Sequence, residues 1–243
     1  MQQSQHISRD NIKRLIHDIK QIIKNPLDSH GIYYKHDDEN MLKGYALIIG
    51  QKNTPYFGGN YLFEFDFPTN YPYSPPVVTY HTNKNKIRFN PNLYVCGKVC
   101  ISILNTWQGD QWSSCLNIST ILLNICTILC ENPLLNEPGI SHKQIKLVKT
   151  YNDIIHYSNI NIAICDVINK TVYNTFFDHF INQIHKHFID NYDELIKIIN
   201  DKKPTDSNIY YTLKFPMYNL TNVDIEYTKL EDKLQNCYKS IKQ

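Results

Sequence analysis

The residues best able to do chemistry lie in one run, Phe89-Asn90-Pro91-Asn92-Leu93-Tyr94-Val95-Cys96-Gly97-Lys98-Val99-Cys100-Ile101-Ser102-Ile103-Leu104. Two asparagines around a proline, then a glycine, then a cysteine, place a thiol beside a polar amide. Acyl transfer fits such a pair: a thiolate takes the acyl group and an amide N–H stabilises the tetrahedral oxyanion. Residue types alone favour a plainer reading, a structural cysteine in an Asn-rich loop, because free cysteines are usually buried and inert. A cysteine hydrolase needs a histidine base near the thiol. No histidine lies between 89 and 139, although a distant one could fold in. A zinc site built from Cys96-x-x-x-Cys100 and Cys126-x-x-x-Cys130 is disfavoured. Its spacing is wider than the usual two-residue knuckle, and the second pair sits on an apolar helix, where it reads as core.

The elements that must position this run can be read from periodicity. Ser8 to Lys24 is a helix capped by Ser8, with Ile12, Leu15, Ile16, Ile19, Ile22 and Ile23 on one face and Pro26 as its stop. Lys13, Arg14 and Lys20 lie off that face. Tyr45 to Ile49 is a short β-prone run. Tyr61, Phe63, Phe65 and Phe67 alternate with Leu62, Glu64 and Asp66, as a strand does. The prolines of Tyr71-Pro72-Tyr73-Ser74-Pro75-Pro76 exclude helix or central strand, and Val77 to Tyr80 is a further strand. A helix from Asn117 or Ser119 runs to about Cys130. Lys143 to Asn169 is largely helical with a break near Ser158, and Val172 to Asn200 is a second long helical stretch. Pro204 to Asn208 is a hinge, Tyr210 to Phe215 a β segment and Asn222 to Lys242 a final helix. A helix followed by an antiparallel meander and then helices makes an α+β domain.

Composition narrows the classes. The chain has 243 residues, 25 Lys+Arg against 23 Asp+Glu, and a net charge of +2, so no global field points to nucleic acid or a membrane surface. Met1 to Asp10 is polar, unlike a signal peptide. Leu116 to Cys130 is too short and too interrupted to span a bilayer. Seven cysteines without framework spacing read as thiols in a reducing compartment. The expectation is cytoplasmic residence, with the nucleus as a second location. His179, His185 and His187 read as solvated helix positions, Trp107 and Trp112 as packing under the loop. The strand aromatics read as core and not as a nucleic-acid platform, since no basic groove accompanies them.

Four ordered motifs then resolve the choice. Gly58-Gly59 through Phe67-Pro68-Thr69-Asn70-Tyr71-Pro72-Tyr73-Ser74-Pro75-Pro76 resembles the central signature of the ubiquitin-conjugating enzymes. Asn90-Pro91-Asn92, closed eight positions later by Cys100, resembles their His-Pro-Asn motif and active cysteine. Trp112-Ser113 and Asn136-Glu137-Pro138-Gly139 follow in the family order, and the match covers roughly residues 8–170. The extra Thr106-Trp107-Gln108-Gly109, Glu131-Asn132-Pro133, Tyr151-Asn152 and Ala163-Ile164-Cys165-Asp166 resemble the Z type of the family.

The resemblance implies a ubiquitin-conjugating catalytic fold: an N-terminal helix, a four-stranded antiparallel meander, an active-site loop and C-terminal helices. It implies a catalytic unit over 8–200 and an extension over 204–243 docked back on it. Cys100 would be the thioester nucleophile, Asn92 the oxyanion stabiliser or loop brace, and Glu137 the acid that orients the incoming lysine. Ser102 stands where many members have Asp, and Asn90 replaces the structural His. The first helix with Lys13, Arg14 and Lys20 would face the activating enzyme, or be an ordinary solvated basic face. Tyr73, Ser114 and Cys115 would lie in the two ligase-binding loops. The family often has Pro-Ala where Ser114 and Cys115 stand, and Tyr73 could instead pack on Pro76. Expected partners are ubiquitin or a ubiquitin-like modifier, its activating enzyme, a ligase and protein substrates, with no cofactor, metal, nucleic acid or membrane. A catalytically silent binding module of the same fold would typically lack the cysteine. A chain stopped near Lys203 would be expected to stay folded but to charge differently.

Overall fold

The computed structural model describes residues 7–83, 87–172, 175–203, 210–218 and 220–243, so the hinge expected at Pro204 to Asn208 lies outside the described residues. Helix α1, Arg9–Lys24, starts where the sequence supplies a cap: the Ser8 hydroxyl accepts from the Asn11 N–H at 3.1 Å. Leu15 and Ile22 are buried, but Ile23 at the expected apolar face is 68% exposed. At 100° per residue, Ile23 rotates past the edge of the stripe that Leu15 and Ile22 define.

Strands β1 (Ile32–His36), β2 (Lys43–Ile49), β3 (Asn60–Asp66) and β4 (Val77–Tyr80) pair in sequence order, antiparallel throughout. The alternation along β3 is realised: Tyr61, Phe63 and Phe65 enter one core while Leu62 enters another. The structure is the α+β arrangement of helix, four-stranded meander and C-terminal helices, with an extension.

Both faces of the sheet are covered. One packs against α1, against α2 (Ile118–Ile128, capped by Asn117) and against α3 (Ile145–Ser158). At Ser158 the chain passes into a π-helical segment, Asn159–Asp166, which coincides with the expected break. This wider turn delivers Asn159 into the fold. Its side-chain oxygen accepts from the Tyr61 hydroxyl at 2.6 Å and its nitrogen donates to the Phe57 carbonyl at 2.9 Å.

The second face meets the C-terminal half. The stretch expected as helix from Val172 is instead a 3₁₀ turn, Thr175–Phe180, followed by α4, Ile181–Lys202. Phe177, Phe180, Ile184 and Phe188 lie on Tyr45, Leu47 and Leu62 in one apolar cluster. The final helix also begins later than expected: Val223–Ile225 (β6) pairs with Tyr211–Leu213 (β5), and α5 occupies Tyr227–Lys242. His187, expected in solvent, shares a 2.7 Å hydrogen bond with the Tyr33 hydroxyl.

Residues 210–243 are interleaved with the rest. Phe215 and Leu220 sit in the first core. Tyr227, Leu230, Leu234 and Cys237 close the second. Lys233 donates to Asp166 at 2.6 Å. A chain stopped at Lys203 would uncover Leu195, Ile199 and Tyr151, so we expect it to be insoluble, against the expectation from sequence.

Acid should also test the fold. Burial, helped by Lys202, depresses His156 from 6.5 to about 4. The native state therefore prefers the neutral ring. Its contribution is complete above pH 6.5 and is lost as the pH falls toward 4, by ~3 kcal/mol at 1.36 kcal/mol per unit. Denaturant midpoints of the parent should fall across that window more steeply than those of His156→Gln. Parallel curves would remove His156 as a cause.

Candidate active site

The cysteine run is held by backbone and amide bonds that begin at Asn90. Its side chain is fully buried. The carbonyl oxygen accepts from the Asn92 N–H at 2.9 Å, and the nitrogen donates to the Ile128 carbonyl at 2.7 Å and to the Tyr56 hydroxyl oxygen at 3.0 Å. Tyr56 in turn donates to the Phe89 carbonyl at 2.6 Å. One side chain thus joins the turn, the end of α2 and the loop before β3, the structural task that the resemblance gives to the motif's histidine.

After the turn the chain doubles back. The Cys100 N–H donates to the Asn92 carbonyl at 2.8 Å, and Asn92 Nδ2 donates to the Cys100 carbonyl at 2.7 Å. Asn92 therefore grips the backbone of Cys100 from both sides. Asn92 Oδ1 is buried and has no partner among the described residues. The reversal needs Gly97. Its φ is +91°, and an added Cβ would lie 3.0 Å from both Thr79 Cγ2 and the Tyr80 carbonyl oxygen.

The thiol is 3% exposed and directed at the Thr106 carbonyl, with Sγ 2.7 Å from that oxygen. Thr106 is fixed by its hydroxyl, which accepts from the Ile101 N–H at 3.0 Å and lies 2.9 Å from the Val99 carbonyl. Beyond it the loop folds over Ser102. Gly109, with φ +124°, comes so close that a Cβ would meet Ser102 Cβ at 3.2 Å. Trp107, expected beneath this loop, is 42% exposed, because the turn at Asn105 (φ +56°) carries it outward. Trp112 does pack below: its indole donates to the Pro72 carbonyl at 2.7 Å and its ring lies 5.9 Å from that of Tyr71.

The family model described as ubiquitin-conjugating enzyme matches residues 14–159. The chain belongs to the ubiquitin-conjugating enzyme family. It is 41% identical over 167 residues to ubiquitin-conjugating enzyme E2 Z of Danio rerio, covering 68% of this chain and 50% of that one. It is 43% identical over 157 residues to the Homo sapiens E2 Z, covering 64% and 44%. A probable ubiquitin-conjugating enzyme, E2 R521, of Acanthamoeba polyphaga mimivirus is 33% identical over 195 residues, covering 75% and 13%. The chain spans about half the length of the E2 Z relatives it matches.

Of the residues the family resemblance singles out, Asn92 and Cys100 meet. Glu137 does not join them by a hydrogen bond; its carboxylate accepts from the hydroxyl of Tyr218 at 2.5 Å. This partner was not foreseen, because nothing in the spacing joins residues 81 positions apart. On α1, Lys13 and Lys20 are exposed, but Arg14 is committed inward. Its Nε lies 3.0 Å from both oxygens of the buried Asp18, and its amino groups donate to the Ser114 and Leu116 carbonyls. Asp18 also accepts from the Tyr71 hydroxyl at 2.6 Å. Arg14 thus ties α1 to both loops instead of offering a free cation. Tyr73 is 75% exposed, and Ser114 and Cys115 are also exposed. Burial pushes the Cys126 and Cys130 thiols up. Among the described residues no three of His, Cys, Asp and Glu gather as metal ligands would.

The exposures predict an order of labelling. With a small alkylating agent under native conditions, Cys96 and Cys115 should react before Cys100, and Cys165 and Cys237 last. Peptide mass spectrometry reads the order. Labelling of Cys100 first would mean that the Thr106 loop stands open in solution.

Proposed function

We propose that this chain accepts ubiquitin, or a ubiquitin-like modifier, from an activating enzyme as a thioester on Cys100 and passes it to a substrate lysine, usually with a ligase. The observation that carries the proposal is the pair of hydrogen bonds between Asn92 and the backbone of Cys100, inside the segment that matches the family model. The names of the E2 Z relatives support it.

In the first step the Cys100 thiolate attacks the carbonyl that joins the modifier to the activating enzyme's thiol. A new C–S bond forms, the C–S bond to the activating enzyme breaks, and the donor leaves as a thiolate. In the second step a lysine amine attacks the Cys100 thioester. The C–N bond forms, the C–S bond breaks, Cys100 leaves as thiolate and the surplus proton passes to solvent. Among the described residues no histidine hydrogen-bonds the thiol, so the rate rests on positioning and on stabilising the oxyanion. Asn92 is the donor for that oxyanion. Its amide leaves the Cys100 carbonyl as the tetrahedral centre develops. Glu137 orients the incoming lysine when Tyr218 releases it. Exposed Lys13 and Lys20 meet the activating enzyme, while Tyr73, Ser114 and Cys115 meet the ligase. Residues 8–200 carry the catalytic residues, and the extension over 204–243, whose Phe215 and Leu234 the two cores need, also tunes partner choice.

Incubation with activating enzyme, ATP and ubiquitin should give an adduct that a reductant removes. Cys100→Ala should abolish it without loss of fold, and Cys100→Ser should trap a reductant-resistant ester. Loss of the adduct in Cys96→Ala but not in Cys100→Ala would overturn the assignment.

Asn92→Ala should still charge but discharge to lysine ~10²–10³ more slowly, the usual effect of losing one oxyanion donor. Its melting temperature must be measured alongside, since Asn92 also braces the loop. Equal discharge rates would remove Asn92 from the mechanism.

A further inference from the structure

Tyr218 belongs to the extension yet stands on the flank of the cysteine run. Its backbone is left-handed, with φ +58°, a conformation that non-glycine residues adopt only uncommonly. The guanidinium carbon of Arg88 lies 4.4 Å from the Tyr218 ring centre and 3.8 Å from that of Tyr94, so both rings hold the same cation. Arg88 then donates to the carbonyl of Pro91 at 2.5 Å. Pro91 is the centre of the Asn90-Pro91-Asn92 turn, and Asn92 holds the Cys100 carbonyl. An unbroken line of contacts therefore runs from the extension to the amide beside the thiol.

We propose that Tyr218 is a positioning residue for acyl transfer, acting through Arg88 to fix the turn that carries Asn92. This rests on the thioester function proposed above. The ring clamps the guanidinium against Tyr94, so the one amino group that reaches Pro91 keeps its direction. Without the clamp, Arg88 swings toward solvent as any long cationic side chain does, and the Pro91 carbonyl loses its donor. The Tyr218 hydroxyl has a separate task, holding Glu137. Burial and the Glu137 bond raise its pKa, so it remains a protonated donor at neutral pH. Ring and hydroxyl can be told apart by substitution.

The test has one arm that needs no partner protein. In the uncharged full chain, the side-chain amide NMR signals of Asn92 should shift in Tyr218→Ala and in Arg88→Met in the same direction, and stay in place in Tyr218→Phe. In the second arm, each variant is charged and then discharged to free lysine over a range of concentrations. Tyr218→Ala and Arg88→Met should charge normally and lose roughly tenfold in maximal discharge rate, as misplacement of a reacting group does, and in Arg88→Met the half-saturating lysine concentration should stay unchanged. Tyr218→Phe keeps the ring but frees Glu137, so it should keep the parent's maximal discharge rate and change only the half-saturating lysine concentration. The double variant should be no slower than either single one, because both cut the same line. Unmoved Asn92 signals, additive losses, or a Tyr218→Phe as slow as Tyr218→Ala would overturn the proposal. Should Tyr218→Ala fail to fold, Arg88→Met against the parent decides both arms. A parent that never charges on Cys100 would overturn the thioester function alone, and the signals would still judge the clamp.

Discussion

Asn90 has no exposed surface, and its amide must satisfy three backbone or side-chain partners at once: the Asn92 N–H, the Ile128 carbonyl and the Tyr56 hydroxyl. Leaving any of them unpaired in the core costs about 1–3 kcal/mol, so the turn has one place to sit. Everything downstream inherits that position. Asn92 follows by one residue, its carbonyl and amide take the two backbone groups of Cys100, and Thr106 closes over the sulfur. A histidine could join two such partners through its ring nitrogens. The asparagine reaches three through a carbonyl and an NH₂. The replacement of the family's histidine is therefore compatible with a well-fixed loop.

A second constraint is the covering of the sheet on both faces. Leu47 and Leu62 are fully buried beneath the C-terminal half, as Ala46 and Phe63 are beneath α2 and α3 on the other face. An antiparallel sheet of four strands often leaves one face wet. Here the apolar residues on both sides of β2 demand a cover, and the 3₁₀ turn with α4 and α5 supplies it. The extension is thereby structural and local to the site together: α5 closes the second core while Tyr218 reaches Arg88 and Glu137.

What could be read in advance follows physical range. Caps at Ser8 and Asn117 are local, set by a side chain and an N–H three residues on, and both were legible. The alternation of β3 is also local, and it placed Tyr61, Phe63 and Phe65 in the core. β1 escaped detection by pattern, since Tyr33-Tyr34-Lys35-His36 mixes aromatic and charged groups, and only the family resemblance implied a fourth strand. The β6 strand hid inside a helical-looking run because three residues pair with a distant partner. Ile23 and Trp107 were read inward on type alone. Their exposure depends on helix phase and on one left-handed turn at Asn105. Cys100 and Asn92 are paired by the family resemblance, while residue types alone favour a structural cysteine, because the two hydrogen bonds that join them depend on how the loop folds back. Glu137 with Tyr218 was not legible, because no local rule brings them together.

The burial of the thiol carries its own consequence for the order of events. A sulfur 3% exposed and directed at a carbonyl cannot meet a carbonyl carbon on another protein. The loop from Asn105 to Gln111 has to lift first, and its construction allows it to. It is held by the Thr106 hydroxyl, by the Asn105 side chain accepting from the Trp112 N–H at 2.8 Å, and by the Gln111 amide donating to the Trp107 and Gly109 carbonyls at 3.0 Å. By contrast Arg14, Asp18 and Tyr71 lock the neighbouring loops with charged and buried bonds. Charge-assisted bonds are roughly twice as strong as neutral ones, so the loops that Arg14 and Asp18 tie down are the rigid side of the site and the loop over the sulfur is the yielding one. The surface around Tyr73 is thus fixed, while the Trp107 loop, 42% exposed at its tip, is held by neutral bonds.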